Sequence, residues 1–192
     1  MVMCSGFAAG QFIPICAGMT FFQRLFGKTD DPRAAYRPLY DAIVARGREP
    51  AWYLDGAPDT IDGRFDVITA CLAQVLIRLE ADPAAKQPSV YLAELFVDDM
   101  DGQLRQAGIG DIVVGKHIGK MMAALGGRLT VYREAGGDVA KLREALVRNV
   151  WRTEDPGAGA DAVAARMAGF VAALAVTPVE AILAGEIPGI PA

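Results

Sequence analysis

Residues 110–117, Gly-Asp-Ile-Val-Val-Gly-Lys-His, come close to the phosphate-binding P-loop motif. In a P-loop the backbone N–H groups cradle the phosphates, the lysine contacts them, and a serine or threonine hydroxyl binds Mg²⁺. Here His117 stands where that hydroxyl is needed, and no strand pattern precedes Gly110. We therefore expect these glycines to shape a link between two helices.

The acidic run at residues 98–101, Asp-Asp-Met-Asp, is similar to the aspartate-rich metal motif of prenyl-transferring enzymes, but Gly102 replaces the final aspartate. On a helix, charged side chains around this run share one face: Glu94, Asp98, Asp101 and Arg105. Such a face is typical of a solvated, partly self-paired stripe. A dinuclear carboxylate site also needs Glu-x-x-His pairs, and His117, the sole histidine, is not so placed. We expect no metal here, and a carboxylate-metal enzyme remains an alternative.

Nucleophilic catalysis has few candidate residues in this chain. Ser5 and Ser89 are the two serines, so a Ser/His/Asp triad cannot readily be assembled. The cysteines are odd in number and widely spaced: Cys4, Cys16 and Cys71. That pattern favours neither a disulfide framework nor a thiol–imidazole zinc site. The sequence predicts a protein that is not an enzyme, needs no cofactor and works in a reducing compartment.

Composition favours one folded domain. Hydrophobic residues make up 53% of the 192 residues, which supplies ample material for a core. The formal net charge of −4 argues against a whole-surface nucleic-acid binder, and no DNA partner is expected. Residues 55–111 carry 11 acidic and 4 basic side chains, whereas residues 114–152 carry 8 basic and 3 acidic ones. Either these two segments form neighbouring helices that attract each other, or they form two oppositely charged patches that face different partners.

Apolar residues recur at spacings of three and four along most of the chain, which predicts helices. The clearest pattern lies between Arg64 and Glu80, where one face is apolar at Phe65, Ile68, Leu72, Leu76 and Leu79. The opposite face of this segment is also apolar, at Val67, Cys71 and Val75. A helix that is apolar all round is a buried one. We therefore expect residues 64–80 to form the central helix.

Other segments complete an all-α prediction of about six to eight helices in one globular domain, residues 21–187. Further helices are expected at about 31–47, 89–107, 114–135, 138–150 and 161–175, with Asp138 as a helix cap. Thr177 has capping-box spacing to Glu180, with Pro178 at the first helical position. The composition of residues 49–63 is that of a connector.

The two chain ends are expected to be tails, at residues 1–20, which carry no charge, and at residues 188–192. Between the first tail and the first helix lies a short aromatic cluster with basic neighbours: Phe21, Phe22, Leu25 and Phe26 beside Arg24 and Lys28. This cluster either docks on the core or lies in a membrane interface.

A series of short motifs extends over most of the chain. It comprises residues 58–65, 95–101, 104–105 and 108–111, then Lys116, Met121, Gly127-Arg128 and residues 145–149. Together these motifs resemble the ubiquinol–cytochrome c chaperone family, from about Phe22 to Pro188. The stretch from Asp-Met-Asp to Gly-Asp is the most specific part.

The resemblance implies a non-catalytic assembly chaperone of respiratory complex III that binds newly made cytochrome b or another complex III subunit. Mitochondrial members of the family act with a small partner subunit near the ribosomal exit, so such a subunit and the ribosome are further candidate partners. The acidic composition and the lack of an Arg-rich presequence favour a bacterial, cytoplasmic member. A peripheral contact with the inner face of the cytoplasmic membrane would suit a membrane client.

Two surfaces are candidates for the client. An acidic one suits basic loops of a membrane protein, and a basic, methionine-bearing one suits variable apolar partners. The predicted partner-binding residues are Asp98, Asp101, Arg105, Asp111, Lys116, Lys120 and Arg128, with Glu94 beside the acidic group and Met121 and Met122 beside the basic one. Asp111 is alternatively a helix cap. An RNA- or ribosome-binding module remains an alternative, using Lys116, Lys120, Arg128 and Arg133.

Overall fold

The computed structural model describes residues 31–106, 111–153 and 156–190, and for residues 103–106 and 111–121 it describes the backbone alone. This part of the chain forms α1 (Arg37–Gly47), α2 (Pro50–Leu54), α3 (Ile61–Glu80), α4 (Lys86–Gln106), α5 (Asp111–Ala135), α6 (Val139–Leu146), α7 (Gly159–Val176) and α8 (Val179–Leu183). Shorter helical pieces are two 3-10 helices, Pro32–Tyr36 and Pro83–Ala85, and a π-helical segment, Val147–Trp151. These residues include no strand, and the all-α prediction is confirmed.

The start of α3 is set by local chemistry. The Thr60 hydroxyl accepts a hydrogen bond from the backbone N–H of Gly63 at 3.0 Å, which satisfies one of the free donors of the first turn. A β-carbon on Gly63 would lie 2.1 Å from the carbonyl oxygen of Pro58. Only glycine therefore allows the preceding loop to close over the first turn.

Helix α3 is the centre of the core, as the sequence predicted. Cys71, Leu72 and Val75 are fully buried, so both apolar faces of the helix are covered. Helices α1, α4, α5 and α7 all contact α3. The burial of α3 explains why its sequence shows no polar face.

The expected connector at residues 49–63 contains a short helix, α2, which the sequence analysis missed. Pro50 occupies the first turn of α2, where backbone N–H groups have no partner within the helix, so the N–H that proline lacks is not needed there. Trp52 in this helix is fully buried, and its indole N–H donates to the carbonyl oxygen of Arg46 at 2.9 Å. The sequence signal for this buried helix was a large aromatic residue, Trp52, in a segment rich in proline and glycine.

The predicted cap at Asp138 is confirmed, whereas the predicted capping box at Thr177 is wrong. The Asp138 carboxylate accepts from the backbone N–H of Lys141 at 3.0 Å, at the start of α6. The Thr177 hydroxyl instead donates to the carbonyl oxygen of Ala173 at 2.8 Å, in the last turn of α7. Pro178 is the N-cap residue of α8, and no side chain caps that helix. The hydroxyl thus takes part in the last turn of α7 and does not cap α8.

Helix α7 is long and apolar enough, by length and composition, to cross a membrane, and it is the one such helix among the described residues. Its Met167, Phe170 and Leu174 are buried in the core. The core helix of a soluble domain passes the same test, so this finding is weak evidence for a span.

The expected amino-terminal tail and the aromatic cluster at residues 21–26 lie outside the described residues. At the other end, Ile187 is buried and Ile190 packs, partly buried, against the core. The chain therefore keeps contact with the domain up to at least Ile190.

Replacing Leu72 by aspartate should abolish folding, because it would place an unpaired carboxylate in the core. The matched control is Ile61→Asp on the same helix, where the side chain is 87% exposed. Thermal unfolding followed by circular dichroism should show a cooperative transition for the control and none for Leu72→Asp. A near-normal melting temperature for Leu72→Asp would contradict the burial of this position.

Candidate functional site

The acidic face predicted from the sequence lies on α4, and two of its carboxylates are accessible. The side chains of Glu94 and Asp98 are 50% and 53% exposed, one helical turn apart. Asp101 lies in the next turn and is more covered. We call Glu94 and Asp98 the acidic face from here on. It is a pair of half-exposed negative charges on a rigid helix.

A neighbouring arginine already neutralises part of the acidic face. Arg33, from the 3-10 helix Pro32–Tyr36, places its Nη1 atom 2.6 Å from Oδ2 of Asp98 and its Nε atom 4.0 Å from Oε2 of Glu94. None of the residues in this 3-10 helix is buried. The acidic face therefore accepts a guanidinium group, and the segment that provides it lies at the surface, with Tyr36 packed partly buried against the core.

Asp99, the middle residue of the acidic run, has a structural role that the sequence analysis did not assign. Its Oδ2 atom accepts a hydrogen bond from the buried Tyr40 hydroxyl at 2.7 Å. Burial, and then this bond, raise the pKa of the Tyr40 phenol well above its usual value. The phenol therefore stays protonated and ties α1 to α4 beneath the acidic face.

Arg128, which the sequence analysis placed on the basic surface, points into the protein. Its side chain is 10% exposed, and its Nη2 atom donates to Oδ1 of Asp66 at 2.5 Å. Arg152 donates to the other oxygen of Asp66 at 2.6 Å. Asp66 itself is 1% exposed. We call Asp66, Arg128 and Arg152 the buried charge cluster after its buried carboxylate; the side chain of Arg152 itself is 53% exposed. Because Arg128 is covered and pairs with Asp66, it has a role within the fold.

The segment that carries Arg152 has an unusual backbone. Residues Val147–Trp151 are π-helical, and Arg152 follows in the left-handed conformation with φ of 55°. Non-glycine residues rarely adopt this conformation, and they keep it where surrounding contacts compensate its cost. Here the ion pair with Asp66 provides such a contact. Sequence periodicity predicted a helix through Val150 and did not indicate this change.

Of the two arginines named for RNA or ribosome binding, neither has a free guanidinium group. Arg128 pairs with Asp66, and Arg133 forms two hydrogen bonds to Glu80, at 2.9 and 2.6 Å. At these two positions, basic residues of the segment 114–152 thus form ion pairs with acidic residues of the segment 55–111 on another helix. The side chains of Arg105, Asp111, Lys116 and Lys120 lie outside the described residues, so their predicted roles remain predictions.

Cys71 is fully buried, and burial raises the pKa of its thiol to about 12, so the thiolate is not formed near neutral pH. Within the described ranges, no group of three His, Cys, Asp or Glu side chains could hold a metal ion. Among the described residues, the acidic face is an accessible charged feature on which a function can be argued.

A family model described as ubiquinol–cytochrome C chaperone matches residues 56–189. The chain belongs to this family. Its resemblance to that family, inferred from short motifs, is confirmed. Membership groups the chain with the assembly chaperones of respiratory complex III.

A solved structure agrees with this assignment. The chain is similar to the protein in a crystal structure described as the Cbp3 homolog from Brucella abortus, with 28% sequence identity and a TM-score of 0.72. The match covers 90% of this chain and 96% of that chain. A comparison with curated proteins finds no match.

Several family motifs have direct structural explanations. In the motif at residues 58–65, Thr60 caps α3 and Gly63 allows the close approach of Pro58. In the motif at residues 95–101, Phe96 is buried and stacks on Phe65, with ring centroids 5.9 Å apart. The half-exposed Asp98 lies in the same motif and pairs with Arg33 outside the core.

Removing the buried charge should cost far more stability than removing the exposed one. Asp66→Asn leaves Arg128 buried without its charged partner, and we expect a loss of about 3–5 kcal/mol. Asp98→Asn, in the exposed pair with Arg33, should cost below about 1 kcal/mol. Urea unfolding of both variants measures the difference. Equal, small losses would show that the buried charge cluster does not stabilise the fold.

Proposed function

We propose that this protein is a non-catalytic chaperone that holds newly made cytochrome b during the assembly of complex III. Family membership supports the assembly role. The observation that supports the client is the acidic face, where Glu94 and Asp98 present half-exposed carboxylates on a rigid helix. Loops of membrane proteins on the cytoplasmic side are rich in lysine and arginine. The acidic face has the charge that attracts such loops.

The strength of this contact suits a chaperone. Exposed ion pairs contribute little net free energy, typically below about 1 kcal/mol each, yet complementary charge speeds encounter. A client held in this way is captured quickly and released easily to its assembly partners. A deeply buried, tightly bound charge such as Asp66 would not allow easy release.

Arg33 gives the acidic face a built-in competitor. Its guanidinium group occupies the position that a client arginine would take on Asp98, at 2.6 Å. A client must displace Arg33 or bind beside it at Glu94, whose distance to Arg33 is 4.0 Å. This competition favours clients that present several basic residues together and disfavours single exposed lysines.

A cytoplasmic location, with contact at the inner face of the membrane, follows from the proposed client. Cytochrome b is favoured over the ribosome as the partner of this surface, because ribosomal RNA is polyanionic and would be repelled by Glu94 and Asp98. A small partner subunit remains compatible with the proposal and would use another surface.

The proposal predicts that a strain without this protein assembles less complex III. Deletion should lower the amounts of spectroscopically detected cytochrome b and of assembled complex III, and a plasmid-borne copy should restore both. Normal levels of both in the deletion strain would contradict the assembly role for this chain.

The acidic face should matter for client capture and little for stability. We expect Glu94→Gln/Asp98→Asn to reduce recovery of cytochrome b in pull-downs and to flatten the salt dependence of binding. The matched control is Glu180→Gln/Glu186→Gln, which changes the net charge equally at two exposed carboxylates elsewhere. If both double variants recover cytochrome b as the wild type does, the acidic face is not the client surface.

A further inference from the structure

An apolar groove runs between three helices beside the acidic face. Leu76 of α3 lies at its base, Val90 and Ala93 of α4 form one wall, and α5 forms the other with Met122, Leu125 and Leu129. Two polar residues, Ser89 and Glu80, also line it, and Glu80 pairs with Arg133. The groove has a volume of about 260 Å³. An apolar cavity of about 150 Å³ is large enough to bind benzene. The groove therefore has room for one or two bulky apolar side chains from outside.

The two edges of the groove carry exposed apolar side chains. Val90 is 46% exposed and Met122 is 39% exposed, on opposite walls. Methionine adapts to different apolar surfaces because its side chain is unbranched and flexible. On the Met122 wall, Gly126 is exposed, and a β-carbon on it would meet nothing within 4 Å. No internal packing explains this mid-helix glycine, and its missing side chain lets another molecule approach the wall closely.

The groove is continuous with the acidic face along α4. Val90, Glu94 and Asp98 follow each other at intervals of four residues, so they lie on one side of the helix. At 1.5 Å per residue, Glu94 is about 6 Å and Asp98 about 12 Å from Val90 along the axis. Apolar and negatively charged features therefore lie in a fixed order, one and two helical turns apart.

We propose that the groove and the acidic face form one binding surface for a segment in which bulky apolar side chains are followed by lysine or arginine. This is the chemistry of the cytoplasmic end of a transmembrane helix, where an apolar span gives way to basic residues. The inference rests on the proposed function and specifies which part of a membrane client is bound. Charge complementarity selects this occupant, because an apolar segment followed by acidic residues would be repelled by Glu94 and Asp98.

The surface also sets the spacing that a partner must have. An apolar anchor between Val90 and Met122 places its basic residues within about 6–12 Å, which is one to two turns if the partner is helical. Arg33 lies at the far end of this surface, on Asp98. A partner that reaches Asp98 therefore displaces Arg33, whereas a partner that stops at Glu94 leaves Arg33 paired with Asp98.

The test uses the full chain and a fluorescent synthetic peptide with a block of leucine and alanine followed by a run of lysines. Fluorescence anisotropy should show saturable binding to the wild type. Met122→Asp and Val90→Asp should each weaken binding by at least about tenfold, because a carboxylate would be desolvated against the apolar block. The control is Val176→Asp, which adds the same charge at a side chain that is 83% exposed and outside the groove. It should leave peptide affinity unchanged.

Further peptides and variants separate the two parts of the surface. A peptide with glutamates in place of the lysines, or serines in place of the leucines, should bind at least about tenfold more weakly. If Met122→Asp lowers the melting temperature, Met122→Gln at the same position should still weaken binding without adding a charge. Equal affinity of wild type, Met122→Asp and Val90→Asp for the lysine peptide would overturn the inference.

Two outcomes distinguish this inference from the proposed function. If the groove variants recover cytochrome b as the wild type does while Glu94→Gln/Asp98→Asn loses it, the inference fails and the client proposal stands. If sedimentation shows a dimer of the wild type that Met122→Asp dissociates, a second copy of this chain occupies the groove, and the inference is overturned. Failure of the proposed function itself would appear in the deletion strain, which does not depend on the groove.

Discussion

Asp66 lies in the central helix with 1% of its side chain exposed, and both of its oxygens accept hydrogen bonds from arginines. Arg128 comes from α5, and Arg152 follows the π-helical segment, so one carboxylate joins three parts of the chain. Removing one partner of such a pair leaves a charge stranded in the interior, which typically costs about 3–5 kcal/mol. The cluster therefore holds α5 at one position against α3. The width of the apolar groove depends on that position, because α5 forms one of its two walls.

The distribution of charge follows from this arrangement. Arg128 and Arg133 belong to the basic part of the sequence, and both pair with carboxylates of α3, Asp66 and Glu80. Asp99 is likewise used inside the fold, where it accepts from Tyr40. Glu94 and Asp98 stay half exposed on α4. The surface that we propose for a client is thus a part of the acidic sequence whose carboxylates stay half exposed and pair with Arg33 outside the core.

Much of the fold follows from residue patterns, and the site follows from them only in part. Periodicity predicted α3 as the buried centre, and the cap at Asp138 was predicted from the local sequence. The cap at Thr60 is equally local, but it was not assigned from the sequence. Asp66 was the missed signal, because it lies between the apolar residues Phe65 and Val67, and a carboxylate buried among apolar residues needs a charged partner. The hydroxyl bond of Thr177 is local, to the carbonyl oxygen of Ala173 four residues earlier, and it competes with the predicted capping box. The π-helical segment is followed by an ion pair between Arg152 and the distant Asp66, which spacing alone does not show. The same holds for Arg128, whose direction is decided by the position of α3.

Site-specific photo-crosslinking in living cells tests the central claim, that the exposed side of α4 contacts cytochrome b during assembly. A photoreactive amino acid is placed at Val90, on the edge of the groove, and in a separate strain at Val176, an exposed apolar position on α7. The account predicts a crosslink from Val90 to cytochrome b, at a segment where an apolar span meets lysine or arginine, and none from Val176. Crosslinks to cytochrome b from Val176 with none from Val90 would contradict it.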